Sequence, residues 1–161
     1  MALDPVVHAL ERFCEGGIEP DLALVRPRAL DGDDLALFTA KLEARGWRPL
    51  PTCIHGWNQV SPADATVLLA SCRYRSLAYS TARGVPADHL AAARDLVTAL
   101  GATTARLGSG LYKVVSPMDL SLPKGGYGFG CSAGVSAATF EESVWLVGPT
   151  HVALLVWTDE D

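Results

Sequence analysis

Hydrophobic and polar positions along the chain change period several times, and each change predicts an element. Asp4 followed by Pro5 places a capping carboxylate before a first-turn proline. Val6, Val7, Leu10, Phe13 and Cys14 then fall on one face of a helix that Gly16-Gly17 ends. Asp21 to Arg26 is a short apolar strand closed by Pro27. Asp31, Asp33 and Asp34 offer caps for a second helix running to about Arg45, with Leu35, Phe38 and Leu42 at helical spacing and Gly46 as its stop. Trp47 to His55 reads as extended, an edge strand or ordered loop, because Pro49 and Pro51 remove two ladder donors.

Ser61-Pro62-Ala63-Asp64 is a helix start, with Ala65, Leu68, Leu69 and Cys72 as its buried face. A strand through Thr66 to Leu69 competes; the local capping signal favours the helix. Tyr74 to Ser80 reads as a strand. Pro86 opens a helix in which Leu90, Ala93, Val97 and Leu100 recur at helical spacing, and Gly101 closes it. Thr104 to Ser116 reads as a hairpin turning at Gly108-Ser109-Gly110, and Pro117 to Pro123 as a loop. Ala137 to Glu142 is a short connection of about one helical turn. Val144 to Val147 and Val152 to Trp157 flank Gly148-Pro149-Thr150 as a last hairpin. Val152 to Trp157 is apolar without alternation, so it belongs in the middle of a sheet or across a dimer interface.

Gly125 to Ser136 has the clearest period of two. Tyr127, Phe129, Cys131, Ala133 and Val135 fall on one side; Gly126, Gly128, Gly130, Ser132, Gly134 and Ser136 fall on the other. A strand with one nearly bare face invites close approach by another backbone or a ligand. Helices early and hairpins late predict one α+β domain over residues 1–161: an antiparallel sheet of about five to seven strands with C-terminal hairpins, and three to four helices packed mainly on one face.

Composition narrows the function classes. The longest apolar run, Val152 to Trp157, is far short of the roughly 20 residues of a membrane helix. The start of the chain lacks the basic head and apolar stretch of a secretory signal, so the expectation is a cytoplasmic protein without a membrane partner. A net charge of −5 argues against nucleic acid. Cys14, Cys53, Cys72 and Cys131 are widely spaced and read as buried free thiols.

Three constellations could carry chemistry. Gly128-x-Gly130-x-x-Ala133 matches the dinucleotide fingerprint only formally, since no βαβ context surrounds it, and no cofactor is expected. Cys53-x-His55 could act as a nucleophile and base, with Cys131 or His151 as further candidates. As a zinc site it lacks the second close ligand pair, and no metal is expected. Arg73 and Arg75 would share one face of a strand over 73–79 and could grip a phosphate or carboxylate. Residues 41–94 hold seven Lys or Arg against three Asp or Glu in an otherwise acidic chain.

These features predict a binding protein for a protein partner or a small anionic molecule. Its groove would join the loop Cys53 to Gln59, the arginine strand and the open face of Tyr127, Gly128, Gly130 and Ser132. Trp57 would anchor the ligand, Asn58 and His55 would orient it, and Arg73 and Arg75 would read its charge. A small Cys/His enzyme is the alternative, and a homodimer through the last strand is a further expectation.

Overall fold

The computed structural model describes residues 4–74, 85–109, 134–136, 138 and 140–159. Within them, five strands form one antiparallel sheet, and helices pack on it. The strands are β1 (Leu22–Pro27), β2 (Asn58–Val60), β3 (Thr104–Ser109), β4 (Phe140–Val147) and β5 (His151–Asp159). Their order is β1-β5-β4-β3-β2. β5 is therefore interior, paired to β1 on one side and to β4 on the other. Both its edges are used within the chain, so β5 has no edge of its own to offer a second copy, and its unbroken apolar run is that of a central strand.

One face of the sheet is covered by three long helices: α1 (Pro5–Cys14), α4 (Pro62–Tyr74) and α5 (Ala87–Leu100). Their buried residues include Phe13, Leu68, Leu69, Leu96 and Leu100, and they meet Leu107, Leu146, Leu155 and Trp157 from the strands. Phe13 packs edge-on to Trp157, ring centroids 6.1 Å apart. The competing strand reading of Thr66 to Leu69 is settled in favour of helix α4, as the cap at Ser61 demands: its hydroxyl accepts from the Asp64 N–H at 3.1 Å.

The other face is covered by shorter pieces: a 3-10 turn at Asp34–Phe38, α2 (Thr39–Ala44), α3 (Leu50–Cys53) and a 3-10 turn at Ile54–Gly56. The predicted second helix thus breaks at Phe38 into two segments. Trp47 to His55 is not extended. Pro49 stands at the N-cap of α3 and Pro51 in its first turn, where a missing N–H costs nothing. From these pieces Phe38, Leu42, Leu50, Ile54 and Trp57 pack on Trp145, Val152, Leu154 and Val156.

Three further expectations are corrected. Tyr74 ends α4 rather than starting a strand. Gly108 and Ser109 do not turn; they continue β3 and pair with Ser143 and Glu142. Gly108 lacks a side chain because the Trp57 ring lies against it, and a Cβ there would overlap the indole. The connection ending at Glu142 is already strand from Phe140, with both glutamates inside β4. The return arm beyond Ser109, the loop at 117–123 and most of the glycine stretch lie outside the described residues. Of that stretch, Gly134 to Ser136 forms a bend, not a strand.

Candidate functional site

The bend at Gly134 to Ser136 is held by a buried carboxylate. Glu141 is 1% exposed on the short-helix face of β4. It accepts from the N–H groups of Val135 (2.9 Å) and Ser136 (2.7 Å) and from the hydroxyls of Ser136 (2.5 Å) and Ser143 (2.7 Å). Four donors on one carboxylate compensate its desolvation without a cation. A Cβ on Gly134 would stand 2.7 Å from the Glu141 Oε2, so the bareness of this position is filled by the protein itself. The carbonyl of Val135 accepts from Arg48 N–H at 2.7 Å and ties the bend to the segment before α3.

The predicted site residues do not converge. Cys53 is buried at the end of α3, and its thiol donates to the Pro49 carbonyl at 3.0 Å. Burial pushes that thiol's pKa up, the opposite of an activated nucleophile. His55 lies two residues on in a helical stretch, where such residues point far apart, and it is exposed. The expected shared face of Cys53 and His55 is absent because the segment is not a strand. Trp57 is 4% exposed and belongs to the core rather than to a ligand surface. Asn58 begins the edge strand β2, opposite Leu107.

Arg73 sits on helix α4, not on a strand, and is 8% exposed. Its Nε donates to the Phe13 carbonyl at 2.8 Å, one Nη donates to Glu15 O, and the other meets His89 Nδ1 at 2.6 Å. It satisfies the last carbonyls of α1 and has no face left for a ligand. Arg75, Tyr127, Gly128, Gly130, Cys131 and Ser132 lie outside the described residues. His151 bridges Thr150 Oγ1 and Asp4 Oδ2, each at 2.8 Å, and so belongs to the N-terminus of α1. Among the described residues no group of three or more His, Cys, Asp or Glu could hold a metal, and no helix is long and apolar enough to cross a membrane.

A different set of residues does converge. On the short-helix face, Thr104 pairs with Val147 and Arg106 with Trp145, so four side chains form one patch of sheet. Above it stand Arg28, Asp33, Asp34 and Leu35 from the turn after β1, and Ile54 and His55 from the turn after α3. They enclose a cleft of about 370 Å³. Trp145 is fixed edge-on by Phe38, centroids 5.3 Å apart.

Charge in the cleft is unevenly committed. Arg28 Nε donates to Asp34 Oδ2 at 2.7 Å and Nη1 to Gly148 O at 3.0 Å. The other Asp34 oxygen accepts from Ala29 N–H at 2.8 Å. Asp33 caps its own 3-10 turn through Ala36 N–H at 3.3 Å. Among the described residues the Arg106 side chain makes one hydrogen bond, at 3.5 Å, to Ile54 O, and pairs with no carboxylate. A half-buried guanidinium with most donors open, beside an exposed imidazole and an indole, can take a carboxylate or phosphate in bidentate fashion.

Of this cleft, the expected loop contributes His55. Arg106 was missed, yet a signal existed: Thr104-Ala105-Arg106-Leu107 alternates, which places two polar side chains together on one face of a strand. Compared with models of known families, with characterised proteins and with solved structures, the chain matches none.

Proposed function

We propose that the protein binds a small organic anion in the cleft floored by Arg106 and Trp145. Arg106 is the charge-reading group, His55 and Thr104 orient the ligand's polar atoms, and Trp145, Val147, Ile54 and Leu35 cover its apolar part. One observation carries the reading: among the described residues Arg106 has no carboxylate partner, while the neighbouring Arg28 is already neutralised by Asp34. A guanidinium held half out of water at the floor of a polar cleft with an apolar side at Leu35, Ile54, Trp145 and Val147 favours an anion with a carboxylate or phosphate and a flat apolar body. The free thiols Cys14, Cys53 and Cys72 suit a reducing, cytoplasmic setting.

Calorimetric titration with benzoate and with phenyl phosphate tests this. At least one is expected to bind the wild-type chain, and Arg106→Gln to weaken it by about tenfold or more, the loss of a charge-assisted contact. Unchanged affinity in Arg106→Gln, or no binding of either probe, overturns the proposal.

A further inference from the structure

Among the described residues the sheet ends at β1, which pairs with β5 alone. Arg28 N–H donates to Thr150 O at 2.9 Å in continuation of that register. Peptide groups alternate along an antiparallel strand, so those of Leu24 and Arg26 turn toward β5 while those of Ala23 and Val25 turn outward. One half of this open edge is blunted. The Val25 carbonyl accepts from the Arg26 guanidinium at 3.0 Å, and Pro27 has no N–H to offer. Among the described residues the other half is not: Ala23, whose peptide groups turn outward by that alternation, lines a groove of about 720 Å³.

Two helices wall that groove on opposite faces of the sheet. On one side stand Leu10, Glu11 and Cys14 of α1, its C-cap Glu15 and, beyond its end, Glu19. On the other side stand Lys41 and Ala44 of α2 and its C-cap Arg45. Glu11, Glu15 and Glu19 are exposed, and none makes a side-chain ion pair among the described residues. Arg45 stacks over the Trp47 ring, 5.2 Å from its centroid, so the cationic wall is partly engaged.

We propose that this groove takes an extended segment of a partner protein as an added strand, carrying Lys or Arg at every second position. Backbone bonds to Ala23 would supply register, and alternation would send the basic side chains to the α1 wall and the intervening small residues to Ala44. A second copy of this chain is a poorer occupant. The two-fold symmetric antiparallel pairing of β1 edges would bring α1 against α1 and set Glu11, Glu15 and Glu19 against the same carboxylates, and such like-charge contacts are costly.

The test titrates the full chain with a capped peptide of about six residues alternating lysine and threonine, and with its glutamate counterpart, by amide NMR. The lysine peptide is expected to bind about tenfold tighter or better, and to slow hydrogen exchange at the Ala23 amide. A Glu11→Lys plus Glu15→Lys variant, altered only on an exposed helix face, should fold normally and reverse the preference. Ala23→Pro, which deletes an outward N–H while sparing the bonds to β5, should abolish binding. Equal affinity for both peptides, no binding of either, shifts centred away from β1, or dimerisation of the free chain through Ala23 overturns the proposal.

Discussion

The two faces of the sheet are built by different means. On one, α1, α4 and α5 lay long apolar stripes across the strands, and Leu68, Leu69, Ala93 and Leu96 reach 0% exposure. On the other, two short helices and two 3-10 turns cover the same strands from two separate stretches of chain, 34–44 and 50–56. Short pieces cannot tile a twisted sheet continuously. Between them a polar cleft remains, and the gap at 134–136 is closed by a carboxylate rather than by apolar packing. The face that packs least regularly is the one with room for a ligand.

That contrast can be broken by substitution. Phe13→Ala, in the core of the long-helix face, should cost about 3–5 kcal/mol in denaturant unfolding. Glu141→Gln should come next, at about 1–3 kcal/mol, because an amide cannot accept from all four donors now served by the carboxylate. A near-zero effect there would mean that the 134–136 bend contributes nothing to the short-helix face.

Smaller still is the effect of acid at the α1 N-terminus. Asp4 accepts from Val6 N–H at 2.9 Å and from His151 at 2.8 Å, and these contacts, the backbone bond first, lower its pKa from the ordinary 3.8. A depressed carboxylate stabilises the fold fully above 3.8, and that contribution disappears as pH falls through the lower folded value. Asp4→Asn should flatten the pH dependence of stability in that acidic window; an unchanged profile contradicts the assignment. Arg106→Gln should have the least effect on unfolding, within about 0.5 kcal/mol, since it makes one long hydrogen bond. A cost like that of Phe13→Ala would make Arg106 part of the core and erase the distinction between the faces.

Legibility followed the same division. α1, α4 and α5 were readable because caps and spacing agreed over three or more turns, and β5 was readable as an unbroken apolar run. Residues 47–56 were not, because prolines that forbid a central strand also suit the first turn of a helix, and sequence alone does not separate the two. Gly108 read as a turn because a glycine that makes room for an indole looks like one that bends the chain. Arg73 read as a ligand group because its partners, the carbonyls of Phe13 and Glu15, lie some sixty residues away in the chain. Arg106 stayed hidden because its significance depends on Asp34 neutralising Arg28 and no carboxylate among the described residues reaching Arg106, a fact of tertiary structure.

The most direct test of the central claim maps where a small anion binds. In an amide NMR titration with whichever of benzoate and phenyl phosphate binds tighter, the account predicts shifts clustered at Leu35, Ile54, His55, Thr104, Arg106 and Trp145, needing about tenfold more ligand or lost in Arg106→Gln. Shifts centred on the long-helix face, or a cluster that survives Arg106→Gln at the same ligand concentration, would contradict it.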